Sequence, residues 1–199
     1  DIVITTTDGN IELDSTLIDS AAEISIKAIA GDVKVGTASG TDEVKAGTNI
    51  LISASGDVTS NADLLAGNDV VIASTGANVV INADISATVG KIDMDAKEGI
   101  EVSGAILATG DKDNEILGGN IELYAEKSDV TLSNAELDAS ANAWAHTSEG
   151  DISLTNSSIT AGEGVDLYAA ADASTVTMDA GSSITAGAQV TVSADGGVT

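Results

Sequence analysis

One pattern governs what this chain can fold into. An alternating apolar-x-apolar triplet recurs along its whole length, in three beats per repeat. The first beat reads Ile2/Ile4, Ile24/Ile26, Ile50/Ile52, Val70/Ile72, Ile92/Met94, Ile121/Leu123, Ala143/Ala145, Val165/Leu167 and Val190/Val192. Successive starts lie 22, 26, 20, 22, 29, 22, 22 and 25 residues apart. A second beat follows each by eight to eleven residues: Ile11/Leu13, Val33/Val35, Val58, Val79/Ile81, Ile100/Val102, Val130/Leu132, Ile152/Leu154, Val176/Met178 and Val198. The third is a single apolar position, Leu17, Val44, Leu64, Ile85, Ile106, Leu137, Ile159 or Ile184, often in the setting x-Ile-x-Ala-Gly.

Period-two alternation is the mark of a strand. Runs of four to six residues broken by Gly, Asn and Asp are too short for helices and too well punctuated. Three strands per repeat of this length describe a three-sided coil, and stacking coils places like residue over like. The expected fold is all-β: a right-handed parallel β-helix of about nine coils, rising about 4.8 Å per coil to a rod roughly 40 Å long. An antiparallel sandwich is the rival all-β arrangement, but it does not require a fixed three-beat order. Residues 1–199 read as one solenoid segment without subdomains. Both ends enter or leave a coil without a polar cap, as expected of an internal piece of a longer solenoid.

Composition narrows the function. The 32 acidic residues outnumber seven basic ones, all Lys, for a net charge of −25. That balance excludes the clustered cations that nucleic acid and anionic membranes demand. Hydrophobic content of 43 % separates the chain from acidic disordered sequences. With no Cys, there is no disulfide framework, thiolate metal site or Cys nucleophile. No apolar run approaches the length of a membrane span.

Three stretches interrupt the rhythm: a loop from Gly36 to Thr48, another from Thr109 to Gly119, and a short one from Ala171 to Ser174. Insertions in solenoids gather on one face and often form its binding surface.

The segments GDISLTNSSITAGEGVDLYAA (150–170), AGSSITAGAQVTVSADGGV (180–198) and GNIELYAEKSDVTLSNAELDASA (119–141) resemble the repetitive shaft of filamentous haemagglutinin-like exoproteins of two-partner secretion. The resemblance covers nearly the whole chain and is clearest from about residue 119. It implies export through an outer-membrane transporter and a long fibre on the bacterial cell surface. It also implies adhesion to a glycan or protein of a host or neighbouring cell. The family's secretion domain carries Asn-Pro motifs. This chain has no Pro, so only the shaft is carried over.

The register predicts one distinctive surface. In each first-beat strand the residue after the apolar pair points outward: Thr5, Lys27, Ser53, Ala73, Asp95, Tyr124, His146, Tyr168 and Ser193. Tyr124, His146 and Tyr168 then stack in one outward column, and Trp144 falls in the neighbouring column between Glu122 and Asp166. Two readings stand. The patch binds sugar rings or a partner protein, or its ladder merely stabilises the sheet face or is covered by a flanking segment. A one-residue slip would turn Trp144 and His146 inward, and the small Ala143 and Ala145 leave that slip open. Val3, Leu51 and Val71 also point outward. Leu51 and Val71 want cover, which either the Gly36–Thr48 loop or a second chain could give; the loop is the expected one.

Other constellations carry less. Asp111, Asp113, Asn114 and Glu115 offer oxygen ligands for Ca²⁺, without the full EF-hand pattern; solvated acidic turns are the default reading. A carbohydrate-active β-helix enzyme, lyase or hydrolase, is the rival from another class. Asp93, Asp95 and Glu122 fall on neighbouring coils, and a hydrolase needs converging carboxylates, but a chain with 32 acids brings some together by chance. Against it stand the missing Arg, the scattered Lys and a field that repels polyuronates. A lone His146 makes no triad. An ice-binding face would need a regular Thr-x-Thr array, and Thr175-Val176-Thr177-Met178 and Thr191-Val192-Ser193 are too isolated to make one. Asn156-Ser157-Ser158 is a glycosylation-type sequon on weak grounds. The expectation is a non-catalytic, secreted display shaft with a contact patch at Tyr124, Trp144, His146 and Tyr168.

Overall fold

The computed structural model describes residues 1–14, 17–38, 41–109 and 119–199. Its strands form three parallel sheets of nine, nine and eight strands, with no helix among the described residues. Each strand pairs with the strands one coil before and after it, three places away in chain order. The result is eight complete three-strand coils and a ninth of two strands, a three-sided parallel β-helix.

Register is uniform. Ile121 pairs with Ala143 and Ala143 with Val165; Leu123 pairs with Ala145 and Ala145 with Leu167. First-sheet strands such as Ile50–Ala54 and Ile121–Ala125 put residues one, three and five inward. The first two are large aliphatics through most of the stack. The fifth is always small: Ala28, Ala54, Ser74, Ala96, Ala125, Thr147 or Ala169, where the chain turns toward the second sheet. Ser74 and Thr147 replace Ala because their turns need a hydroxyl. Ser74 donates to the Gly56 carbonyl and accepts from the Ala77 N–H. Thr147 donates to Ser128 and accepts from Gly150 in the same way. Ser60 explains the incomplete triplet at Val58, since it is fully buried and donates to the Ala62 carbonyl.

The third sheet alternates large and small inward residues, Leu64/Ala66, Ile106/Ala108 and Ile159/Ala161. Where a Gly follows the small one, as at Gly67 and Gly162, it permits close coil contact. A Cβ at Gly162 would collide with the Ser140 carbonyl oxygen below it. The third-beat position in the first coil is Ile18, not Leu17. Ile18 pairs with Val44 and is buried, whereas Leu17 is 73 % exposed.

The corners are held by side chains as well as strands. Between the first and second sheets, Asn10, Asp32, Asp57 and Asn78 each accept through Oδ1 from a backbone N–H one coil on: Asp32 (2.9 Å), Asp57 (2.9 Å), Asn78 (2.9 Å) and Gly99 (3.0 Å). Gly99 has no side chain, and the ladder resumes with Asp129 to Asp151 (2.8 Å) and Asp151 to Thr175 (2.6 Å). Asp69, Asn120 and Asn142 do the same between the third and first sheets, and Asp63 and Asp84 between the second and third. Carboxylates accepting N–H bonds make stronger contacts than neutral acceptors. Part of the acid excess is therefore spent on holding coil to coil.

The stretch from Gly36 to Thr48 is not one loop. It contains the strand Glu43–Ala46, with Val44 and Ala46 buried between Ile18/Ser20 and Leu64/Ala66. The extra residues are confined to 37–42, where Asp42 accepts from the Thr37 N–H (2.7 Å) and hydroxyl (2.9 Å). This corner joins the second sheet to the third, across the core from the first-sheet face. Its described residues therefore do not cover Leu51 and Val71, which pair with each other and are half-buried. Residues 171–174 form the expected short turn, with Ala173 at φ 66°.

Candidate functional site

The outward face of the first sheet carries the chain's aromatic side chains because strand alternation leaves them no other direction. Ala143 and Ala145 are 2 % and 1 % exposed, so Trp144 and His146 project outward and the slipped register is excluded. Small Ala side chains suffice inward because Ile121 and Leu123 below, and Val165 and Leu167 above, flank that layer.

Trp144 pairs with Glu122 on one side and Asp166 on the other. In the next column Asp95, Tyr124, His146 and Tyr168 follow in order. Tyr124 and Tyr168 are 41 % and 44 % exposed; Trp144 and His146 are half-buried. The Tyr124 hydroxyl lies 2.9 Å from Ser148 Oγ in a hydrogen bond that either atom can donate. His146 meets the Tyr168 ring edge-on. His146 Nε2 lies 3.4 Å from an Asp166 oxygen but is shielded from solvent and has no partner at hydrogen-bond geometry. The contact is therefore electrostatic, and an ion pair only when the imidazole is protonated.

A shallow depression of about 130 Å³ opens beside these rings, lined by Asp93, Asp95, Glu122, Leu123, Tyr124, Trp144 and His146. Tyr168 stands outside it, next to His146. Three of the four aromatic-patch residues thus share one concavity with the carboxylates of Asp93, Asp95 and Glu122, while Asp166 lies outside it. Sequence reasoning missed Lys91, counted among scattered lysines. Its Nζ lies 2.7 Å from Asp93 and 3.6 Å from Glu122, and these contacts, led by the Asp93 hydrogen bond, raise its pKa above the ordinary Lys value. The only signal was its place two residues before Asp93; because Lys91 precedes the strand Ile92–Ala96, alternation does not fix its side. Asp95 has no such cation at hand. Burial first, then the charges of Asp93 and Glu122, hold its carboxyl above the usual value, with Lys91 acting in the opposite sense.

A larger groove, about 320 Å³, lies on the second sheet where Gly99 interrupts the corner ladder. It is lined by Asn78, Val80, Glu101, Ser128, Asp129 and Thr131 among others, and holds neither an aromatic nor a cationic side chain. The smaller depression has the richer chemistry.

No cluster of three or more His, Asp or Glu among the described residues is arranged to hold a metal ion. Asp111, Asp113 and Glu115 lie outside the described residues. The sequon residue Asn156 sits at φ 49° and spends its side-chain amide on Asn134 Oδ1 at 2.8 Å. No helix among the described residues is long and apolar enough to cross a membrane. No protein-family model, no curated protein and no solved structure matches this chain.

Proposed function

We propose that this chain is a stiff, acidic display shaft of a secreted bacterial surface adhesin, touching its partner through the aromatic face of the first sheet. The observation that supports the shaft is the unbroken in-register pairing of all three sheets. Such a stack transmits load through many parallel hydrogen bonds, and its stability grows by neighbour terms with each coil. The net charge of −25 keeps neighbouring fibres apart. What favours contact at the aromatic face is the concentration of Tyr124, Trp144, His146 and Tyr168 on adjacent coils of one sheet. The resemblance to two-partner-secretion exoproteins supplies the location and the route of export.

An antibody against the chain tests the location: it should label intact source cells. Labelling only after permeabilisation overturns the surface reading. Beads coated with the chain test adhesion, with Trp144→Ala as the control that should lose it. A glycan screen with the same variant identifies sugar contacts.

A second reading, a carbohydrate-active enzyme, is favoured by one observation. Asp95, its carboxyl raised above the usual value by burial and then by Asp93, shares a depression with Asp93 and Glu122 and the rings of Trp144 and Tyr124. Neighbouring carboxyl groups beside an aromatic platform are among the parts of a glycoside hydrolase. Release of reducing ends from oligosaccharides, abolished by Asp95→Asn, would establish it; no release from neutral or acidic glycans removes it.

A further inference from the structure

We infer that the aromatic face of the first sheet docks an extended, lysine- or arginine-bearing segment of a protein partner. This rests on the reading of that face as the contact surface, and names what it contacts.

Charge and ring placement select the chemistry. Trp144 has Glu122 and Asp166 as its two neighbours in its own outward column. A cation laid against the indole therefore meets a carboxylate on either side, one strand spacing away, about 4.8 Å. Ammonium and guanidinium groups are attracted to that ring face. The adjacent column repeats the theme, with Asp95 next to Tyr124. Around the depression, one ammonium, Lys91, serves Asp93 and Glu122 while Asp95 keeps no direct cation. Burial first, and then the charges of Asp93 and Glu122 only partly offset by Lys91, raise the Asp95 carboxyl, and a bound cation would oppose the charge part of that shift.

Shape selects a protein segment over a small molecule. The depression of about 130 Å³ is well below the roughly 300 Å³ at which sites enclosing small ligands begin. The patch is instead long and shallow. It runs over the strands Ile92–Ala96, Ile121–Ala125, Ala143–Thr147 and Gly164–Ala169. That is three strand spacings, about 14 Å, or about four residues of extended chain. The field of the whole molecule adds steering for a basic partner and repulsion for an acidic one.

Trp144 is the only Trp, so its emission reports on this face alone. The probe is a fluorescein-labelled peptide of alternating Lys and Thr, with a lysine-acetylated copy as control. Saturable binding by anisotropy, with a matching change in Trp144 emission for the unlabelled peptide, is expected, and none for the acetylated copy. The pair Glu122→Gln/Asp166→Asn should weaken binding about tenfold or more. The pair Glu101→Gln/Asp138→Asn removes the same charge from the other two faces and should weaken it less than about twofold, the effect of steering alone. Trp144→Leu should abolish binding with far-UV circular dichroism and thermal midpoint retained.

Equal weakening by the two charge pairs overturns the inference, since bulk charge then explains the binding. So does binding that survives acetylation, or no binding at all. If neutral oligosaccharides shift Trp144 emission and the peptide does not, the partner class is wrong while the contact surface stands. If neither shifts it and Trp144→Ala leaves bead adhesion intact, the contact surface fails as well.

Discussion

His146 meets the Tyr168 ring at 82°, with 5.9 Å between ring centroids, one coil apart in the same outward column. Edge-to-face aromatic pairs contribute about 0.5–1.5 kcal/mol beyond burial, and partial exposure places this one at the low end. A double-mutant cycle with His146→Ala and Tyr168→Ala, read by urea denaturation, should give a coupling of about 0.5 kcal/mol. A coupling of zero would mean that the two rings are neighbours by register alone.

Leu51 and Ile52 sit side by side in one strand and face opposite ways. Ile52 is 1 % exposed in the core, while Leu51 is half-buried on the outer face. Ile52→Ala should cost about 2–5 kcal/mol, as core truncations do, and Leu51→Ala about 1 kcal/mol or less. Denaturant midpoints of the two variants check this. Equal costs would contradict the inward and outward assignment of the whole first sheet, because its strands share that register.

Asp32 is the clearest member of the corner ladder, its Oδ1 taking the Asp57 N–H at 2.9 Å. Asp32→Asn keeps an oxygen acceptor and loses only the charge assistance, so it should cost clearly less than removal of the acceptor. Asp32→Ala leaves that N–H without its acceptor and should cost about 1–2 kcal/mol. Hydrogen exchange at the Asp57 amide separates the two variants. Faster exchange is expected in Asp32→Ala and near-native exchange in Asp32→Asn.

Asp95 imposes a pH-dependent cost. Its folded pKa lies above the ordinary 3.8, chiefly through burial and then through Asp93 and Glu122. Between 3.8 and the raised value the folded chain binds more protons than the unfolded one, so this group's contribution falls as pH rises through that window. Below 3.8 both states are protonated and the penalty vanishes. Asp95→Asn should therefore stabilise the chain at neutral pH, by less than about 1 kcal/mol because solvent screens the site. The gain should fade in acid. Thermal midpoints of wild type and variant across pH give the answer, and a gain independent of pH would rule out ionisation as its origin.

Much of the fold was legible because inward and outward positions repeat with a strict period of two. Even Ala143 and Ala145, which carry almost no hydrophobic signal, fell into place from Ile121/Leu123 and Val165/Leu167 on either side. Val44 is legible as a third-beat position, yet the loop bounds Gly36–Thr48 overrun its strand, because the inward pair ends in the small Ala46 and is flanked by charged Glu43 and Lys45. Leu17 and Ile18 are adjacent aliphatics that leave the phase open in sequence, and pairing with Val44 selects Ile18 as the inward one. The aromatic columns followed from register alone. Lys91 did not, since it precedes its strand and reaches the face through a flexible stem. The corner ladder was equally hidden, because an Asp in a turn has the same sequence signature whether it faces water or a backbone N–H.

The corner at 37–42 carries extra residues, yet Val44 still lands between Ile18 and Leu64. Length at an edge and order within a ribbon are therefore decoupled in this architecture. Decoration can accumulate at the vertices of the prism while its flat walls keep their pitch. A lineage built on such a frame is free to diversify what it shows to the outside, one vertex at a time, without renegotiating how it stands.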